Sequence, residues 1–206
     1  MTSDKLISLA RDAVLREAQA VASITDQINP NFLDVAQTLL ACSGHVLVAG
    51  SGTSHATALR MAHLFSCVGT PALFIHPGDA QHGTSGAIKP NDVVILISRG
   101  GETDEVNKLG QIAKQRGATV IAFTEKPEST VGQLSDLVLL VKSDPGADIA
   151  NTITTAGSLS MSAMGDALCV VLFHLRGYSM DAFALTHPGG AVGKQIAANG
   201  AIVRRT

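Results

Sequence analysis

The sequence is poor in aromatic and charged residues, and the shortage of charge limits the binding partners that the chain can have. Aromatic residues account for 3% of the 206 positions, tryptophan is absent, and charged residues account for 16%. The formal net charge is −2 and lysine and arginine form no run, which argues against nucleic acid or an anionic membrane as the main partner. So low a share of charge also indicates that another subunit covers part of the surface.

Cysteine is scarce as well. Cys42, Cys67 and Cys169 are far apart in the sequence and form no Cys-x-x-Cys pair, which is typical of buried thiols in a reducing compartment. The first residues do not combine a charged segment with an apolar one, and we recognise no apolar run of membrane-spanning length. We therefore expect a cytoplasmic protein without membrane association, in which residues 1–206 form one domain.

The sequence does contain many hydrophobic residues, 46% of the total, and 20 glycines. Five apolar segments predict β-strands: His45–Ala49, Pro71–Ile75, Asp92–Ile97, Ala118–Phe123 and Leu137–Val141. Helical patterns surround them: Ser3–Ile28, Asn31–Ala41, Ser54–Cys67, Asp79–Ser85, Glu102–Arg116, Glu128–Leu134, Thr155–Arg176 and a short helix that ends at Ala198. This alternation predicts an α/β fold, a five-stranded parallel sheet with helices on both faces.

The loop after the first predicted strand has the composition of a phosphate-binding turn. Gly50 and Gly52 allow a sharp turn, and the hydroxyl groups of Ser51, Thr53 and Ser54 lie where a helix begins. A helix N-terminus offers unpaired amides and a partial positive charge, so anions bind there. The sequence therefore predicts a phosphate pocket at this loop.

The same loop argues against two nucleotide-binding motifs. A dinucleotide fingerprint needs a third glycine where this chain has His55, and an acidic residue after the second strand where it has Ile75 and His76. A P-loop needs a Gly-Lys-Ser/Thr sequence, which does not follow the loop. We therefore expect no nucleotide cofactor.

A second loop of the same kind follows the third predicted strand. It begins with Ser98 and Arg99 and ends with Thr103, again with glycines between a strand and a helix. Because the carboxyl ends of neighbouring parallel strands meet at one edge of a sheet, we expect the two loops to lie side by side. Arg99 either supplies the positive charge that a dianion prefers or is a solvated loop residue, and the sequence leaves both open.

Five segments together resemble a known family. Gly50–Ser54 and Ser98–Thr103 resemble the loops of the sugar isomerase (SIS) domain family, and His76–Gly83, Thr124–Ser129 and His187–Ala191 resemble its arabinose-5-phosphate isomerase branch. The resemblance covers nearly the whole chain. It implies a flavodoxin-like sheet, a phosphorylated sugar as ligand, and a homotetramer with sites between subunits. Many members of the branch carry a C-terminal pair of small regulatory domains, which this sequence does not include.

The resemblance also implies roles for individual residues. Ser54, Ser98 and Thr103 match the positions that hold the phosphate, and Thr152 and Thr154 match a hydroxyl-rich segment at the start of the last long helix. Three more residues match the catalytic positions of the family: Glu105, His82 and His187.

The chemistry of aldose–ketose interconversion fits the candidate catalytic residues. The reaction moves a proton between C1 and C2 through an enediol, so it needs a carboxylate base and a group that polarises oxygens. Glu105 lies near the start of a helix that begins at the second loop, where its alternative role is that of a solvated acid at the helix dipole. His82 or His187 is suited to opening the sugar ring or to moving protons between oxygens.

A metal site is not expected. Although the sequence holds seven histidines, His55 and His63 are eight positions apart on one predicted helix, too far for one ion without other ligands. His76 and His82 meet only if the loop between them folds back. We therefore predict an isomerase that uses neither a metal nor another cofactor.

The chain departs from the family pattern at three points. Thr53 stands where the family has a lysine, Gly100 where it has a serine, and a glutamate after the fifth strand is missing, with Asp144 only a loose substitute. The lost lysine motivates an alternative function, a phosphosugar sensor that binds its ligand without catalysis.

Overall fold

The structure, a computed structural model, describes residues 1–203. Its strands are β1 (Val46–Gly50), β2 (Ala72–Phe74), β3 (Val93–Ile97), β4 (Thr119–Thr124) and β5 (Leu137–Leu140). They form one sheet in the order β2-β1-β3-β4-β5, and every neighbouring pair is parallel. The predicted α/β fold with a five-stranded parallel sheet is confirmed, and each predicted strand end lies within one residue of the observed one.

Helices precede, connect and follow the strands. They are α1 (Ser3–Ser23), α2 (Pro30–Ala41), α3 (Thr53–Cys67), α4 (Pro77–Ala80), α5 (Asp104–Gln115), α6 (Thr130–Leu134), α7 (Ala156–Arg176), α8 (Met180–Thr186) and α9 (Ala191–Val203). Three short 3₁₀ turns lie at Ile24–Gln27, Thr84–Ala87 and Pro145–Ala147.

Two hydrophobic clusters lie on the two faces of the sheet. Successive residues of a strand point to opposite faces, so Ile95 packs with α2, α3 and α7 while Val94 and Leu96 pack with α4, α5 and α6. All three side chains are fully buried. This double burial explains why β3 is apolar at every position.

Some predicted helices differ from the observed ones. The helix predicted over Ser3–Ile28 ends at Ser23 and tightens into the 3₁₀ turn, and the one predicted over Asp79–Ser85 begins earlier, at Pro77. Proline fixes φ at a helical value and lacks the amide that the first helical residue leaves unpaired, so it favours this start. The seven-residue α8 was not predicted; the Ser179 side chain caps it by accepting a hydrogen bond from the Ala182 amide at 3.1 Å.

Helix α7 contradicts the expectation that no segment reaches membrane-spanning length. It has 21 residues and a mean hydropathy of 1.5 over its most apolar 18-residue window, so length and composition alone allow it to span a membrane. The core helix of a soluble protein passes the same test. In the structure α7 packs against α1, α2 and α3, and 44% of this window is buried.

Candidate active site

A cavity of about 200 Å³ lies at the carboxyl ends of β1 and β3, where the two predicted loops meet. Its wall carries eight hydroxyl-bearing side chains: Ser51, Thr53, Ser54, Thr57, Ser98, Thr103, Thr154 and Ser158. Arg99 is the one charged side chain among the described residues that line it, so no carboxylate is among them. The N-terminal ends of α3, α5 and α7 all contribute to the wall. Three positive dipole ends and an arginine favour an anion in this cavity.

The first loop presents hydroxyl groups rather than a full set of free amides. The amides of Ser54 and His55 donate to the carbonyl oxygens of Ser51 and Gly52, each at 3.1 Å. Gly52 has a φ of +59°, a conformation that L side chains rarely adopt, and it turns the chain into α3. The Ser51 Oγ is buried and has no hydrogen-bond partner among the described residues. A buried hydroxyl without a partner is costly, so this atom is suited to a ligand.

The second loop arranges its hydroxyl groups in a chain. The Gly101 amide donates to Ser98 Oγ at 3.2 Å, and Ser98 Oγ lies 3.1 Å from Thr103 Oγ1. Thr103 occupies the N-cap position of α5 without using its side chain to cap the helix. The hydroxyl oxygen of Ser98 accepts a hydrogen bond from the Gly101 amide, so the Ser98 hydroxyl can donate its own hydrogen to Thr103 Oγ1. The hydroxyl hydrogen of Thr103 is then available to a ligand.

Arg99 is held by two carboxylates at the edge of the cavity. Its Nε lies 3.0 Å from Glu125 and its Nη1 lies 2.5 Å from Asp148, whose side chain is completely buried. Burial lowers the pKa of the Arg99 guanidinium, but the hydrogen bond to Glu125 and the negative charges of Glu125 and Asp148 outweigh this effect and raise the pKa. Arg99 is therefore a fixed side chain with compensated charge and not a solvated loop residue.

The segment before α7 supplies the third side of the cavity. Thr154 lines it together with Gly157 and Ser158 from the first turn of α7. Thr152 does not: it is exposed, and its hydroxyl donates to the Ala150 carbonyl at 3.0 Å. The structure therefore brings Thr154, but not Thr152, to the predicted site.

Glu105 lies in a neighbouring open groove of about 530 Å³ and not in the hydroxyl-lined cavity. It is a half-buried residue in the first turn of α5, and Gln81 and Lys108 line the same groove. Glu102, the other glutamate in this region, accepts hydrogen bonds from the amide and the hydroxyl of Thr130. The loop of Ser98–Thr103 thus has the hydroxyl-lined cavity on one side and the groove with Glu105 on the other.

The two candidate histidines lie outside the cavity. His82 is exposed and follows Gln81, which lines the groove of Glu105. The His187 ring stacks on Phe183 with centroids 3.8 Å apart, and its Nε2 lies 3.4 Å from Cys67 Sγ. Within one chain, neither residue shares the cavity with the phosphate candidates.

The described part of the chain contains no candidate metal-binding cluster. Across residues 1–203, no group of three or more His, Cys, Asp or Glu side chains is arranged to hold an ion. The absence of a metal and of other cofactors stays a prediction.

Comparison with known proteins identifies the family. The model of the SIS domain matches residues 39–171, which include all five strands and most of α7. The chain belongs to the SIS domain family. This agrees with the resemblance that the two loops and the three further segments indicated.

Relatives of this SIS domain include isomerases. Arabinose 5-phosphate isomerase KdsD of Escherichia coli K12 is 37% identical over 186 residues, 90% of this chain and 57% of the relative. The chain therefore spans little more than half the length of the curated relatives that it matches.

Two solved structures are similar over nearly all of this SIS domain. A protein of Listeria monocytogenes that is described as a candidate sugar-phosphate isomerase has 32% identity and a TM-score of 0.89, and the match covers 92% of this chain and all of that one. The c3406 protein of E. coli CFT073, solved in complex with arabinose 5-phosphate, has 31% identity and a TM-score of 0.87, and 91% of this chain covers all of it.

Sequence reasoning missed four residues of this SIS domain site. Thr57 and Ser158 line the cavity, and each follows a recognised loop by about one helical turn, so the helical repeat could have identified them. Glu125 and Asp148 hold Arg99 from distant parts of the sequence, Asp148 across 49 residues. No local signal marks such partners, because packing alone brings them to the arginine.

Proposed function

We propose that the hydroxyl-lined cavity binds the phosphate group of a sugar phosphate, and that the chain is an aldose–ketose isomerase for such a ligand. The observation that carries this proposal is the cavity itself, whose described lining combines eight hydroxyl groups and three helix N-termini with the fixed guanidinium of Arg99 and includes no carboxylate. The curated relatives named arabinose 5-phosphate isomerase suggest the substrate class, a phosphorylated aldose that resembles arabinose 5-phosphate.

In the proposed reaction Glu105 is the general base that moves a proton between C1 and C2 through an enediol. Its place on α5, whose N-terminus also forms the cavity wall, keeps the carboxylate at a constant position relative to the bound phosphate. The proposal assigns ring opening and proton transfer between oxygens to His82 and His187. The residues proposed to orient the phosphate are Ser51, Thr53, Ser54, Ser98, Arg99, Thr103 and Thr154. Thr152 has no part in this arrangement.

The proposal also includes a cytoplasmic homo-oligomer, with a tetramer as the specific expectation. Support comes from the exposed apolar side chains of α1 and from the place of His187, which within one chain lies outside both the cavity and the groove of Glu105. Neither nucleic acid nor a membrane is expected as a partner, because the net charge is −2 and basic residues form no run.

The test is solvent isotope exchange with a panel of pentose and hexose phosphates in D₂O. An isomerase places deuterium at C1 or C2 of its substrate, and the substrate that exchanges fastest identifies the sugar. The Glu105→Gln variant should lose at least about a hundredfold in turnover, the contribution typical of a general base, while it still binds the sugar phosphate. The matched control is Glu128→Gln, the same chemical change on an exposed residue that lines neither the cavity nor the groove.

Three outcomes separate the alternatives. If the Glu105→Gln variant still exchanges deuterium into the sugar phosphate as fast as wild type, Glu105 is not the general base. Tight binding of a sugar phosphate without any exchange favours the sensor, which the threonine at position 53 motivates. If wild-type protein binds no sugar phosphate at millimolar concentration, the phosphate site itself is refuted.

A further inference from the structure

Asp148 makes contacts to two separate parts of the cavity wall. One carboxylate oxygen lies 2.5 Å from Arg99 Nη1, and the other accepts hydrogen bonds from the amides of Thr155 at 2.9 Å and Gly157 at 3.1 Å. The side chain is completely buried. A buried carboxylate is stable only when charged partners and hydrogen bonds satisfy it, and Asp148 has both.

Glu125 holds Arg99 from another side. Its Oε1 lies 3.0 Å from Arg99 Nε and also accepts a hydrogen bond from the Ser143 hydroxyl at 3.2 Å. In the described part of the chain, Glu125 makes no hydrogen bond to α7. The Arg99 backbone is fixed too, because its carbonyl oxygen accepts hydrogen bonds from the Thr124 hydroxyl and the Glu125 amide, both at 3.0 Å.

The loop that carries Asp148 is strained. Ala150 and Asn151 have φ values of +51° and +54°, and Ile149 and Ile153 close the turn as an antiparallel bridge. A left-handed alanine is a strained conformation that persists only where the surroundings fix it. Asp148 at one end of this loop and its bond to the Thr155 amide at the other end provide that fixation.

We propose that Asp148 and Glu125 are positioning residues of the phosphate site, which act by fixing the Arg99 guanidinium at the cavity. The two acids bind Nε and Nη1, whereas Nη2 has no hydrogen-bond partner among the described residues, so its donors are left for the anion. Because the carboxylates of Asp148 and Glu125 outnumber the single positive charge of Arg99, the arginine contributes the geometry of its donors and not net positive charge. The inference rests on the proposed phosphate site but concerns residues that do not line the cavity.

A double-mutant cycle tests this coupling, with inorganic phosphate as the probe and calorimetry as the measurement. Asp148→Asn keeps one oxygen for the amides of α7 but removes the charge that holds Arg99. We expect Asp148→Asn and Arg99→Gln each to weaken phosphate binding about tenfold, the effect of losing one charge-assisted hydrogen bond. The double variant should bind phosphate within about twofold of Arg99→Gln alone, because Asp148 acts through Arg99.

Glu125→Gln extends the test to a variant that leaves the contacts of α7 intact. It should also weaken phosphate binding in wild type, and it should have no further effect in the Arg99→Gln background. The matched control is Asp166→Asn, which removes an acid paired with Arg60 on the exposed surface of α3 and α7 and should leave phosphate affinity unchanged.

The outcomes separate this inference from the proposed function. If wild type does not bind phosphate or any sugar phosphate, both fall. Suppose that wild type binds phosphate and that the loss of affinity in each double variant equals the product of the two single losses. Asp148 and Glu125 then act independently of Arg99, and the inference is wrong. Unchanged or tighter phosphate binding in both acid variants refutes it equally. The expected pattern in Glu125→Gln supports it even if Asp148→Asn does not fold.

Discussion

The orientation and the pKa of single side chains in this protein depend on the residues around them. The sequence leaves open whether Arg99 binds a dianion or is a solvated loop residue, whereas in the structure two acids fix its orientation and neutralise its charge. Cys169 shows the same dependence for a thiol. Its partial burial in α7 and the negative charge of nearby Asp166 raise the pKa of Cys169 to about 11.

The raised pKa predicts that Cys169 reacts slowly with alkylating reagents. Compared with a thiol at the ordinary value of 9.0, the thiolate population at pH 8 falls about a hundredfold, and the thiolate is the nucleophile. Mass spectrometry after a short iodoacetamide pulse should therefore find Cys169 unmodified in the folded protein. In urea, where the surroundings are lost, Cys169 should react as fast as Cys42 and Cys67. Equal rates in the folded and the unfolded protein would contradict the shift.

The raised pKa of Cys169 also makes the free energy of unfolding depend on pH in the alkaline range. The folded state holds the Cys169 proton more strongly than the unfolded state, because the pKa of about 11 lies above the ordinary 9.0. This contribution to the free energy of unfolding is fully present below pH 9 and is lost as the pH rises towards 11.

At the scale of elements, the site depends on how closely the loop after β3 approaches the segment before α6. Gly101 has a φ of +73°, and a Cβ atom at this position would lie 1.8 Å from Ser129 Oγ and 2.4 Å from Ser129 Cβ. Both the conformation and the space therefore require glycine. Gly100, its neighbour, has a φ outside the left-handed region and nothing within 4 Å of such an atom.

This contrast gives a paired prediction. Gly101→Ala should lower the free energy of unfolding by at least about 2 kcal/mol, because it adds backbone strain to a steric clash. Gly100→Ala should change it by less than about 1 kcal/mol, because nothing obstructs the added methyl group. Urea denaturation followed by circular dichroism measures both. Similar losses in the two variants would show that the loop does not pack as the structure describes.

At the scale of the whole molecule, apolar surface is concentrated on α1. Five large apolar side chains of this helix are between 46% and 65% exposed: Leu6, Ile7, Leu9, Val14 and Leu15. Exposed apolar surface on this scale marks interaction sites in soluble proteins. Among the residues of α1 only Ala20 is buried, so the helix uses little of its apolar surface within one chain.

We predict from this surface that the protein self-associates. Light scattering should give a mass that is a multiple of the 21.2 kDa chain, four chains if the tetramer is correct. The double variant Val14→Glu and Leu15→Glu should lower that mass, because the association would bury the added charges without partners. Arg16→Glu makes the same total change in charge at an exposed position of the same helix that does not face Val14 or Leu15, and it is the control for charge. A wild-type mass of one chain would refute the oligomer.

The sequence by itself determined the sheet and the location of the cavity. Alternating apolar segments and short loops specify parallel strands, and the carboxyl ends of neighbouring strands must meet, so the loops at Ser51 and Ser98 were predicted to converge. Short-range patterns carry this information because hydrophobic periodicity and turn chemistry act within a few residues of the chain. The family resemblance added the catalytic candidates, whose roles stay predictions.

Only the tertiary structure decided which partners the site residues have. Asp148 binds Arg99 although the two are 49 positions apart, and no sequence pattern near either residue predicts the pair. The same holds for the place of Glu105 in a groove beside the cavity and for the place of Thr152 outside the cavity lining. Ionic partners and side-chain directions follow from the packing of distant segments, and a one-residue shift in a loop is enough to change them. Patterns within a few residues of the chain therefore do not predict contacts between distant segments.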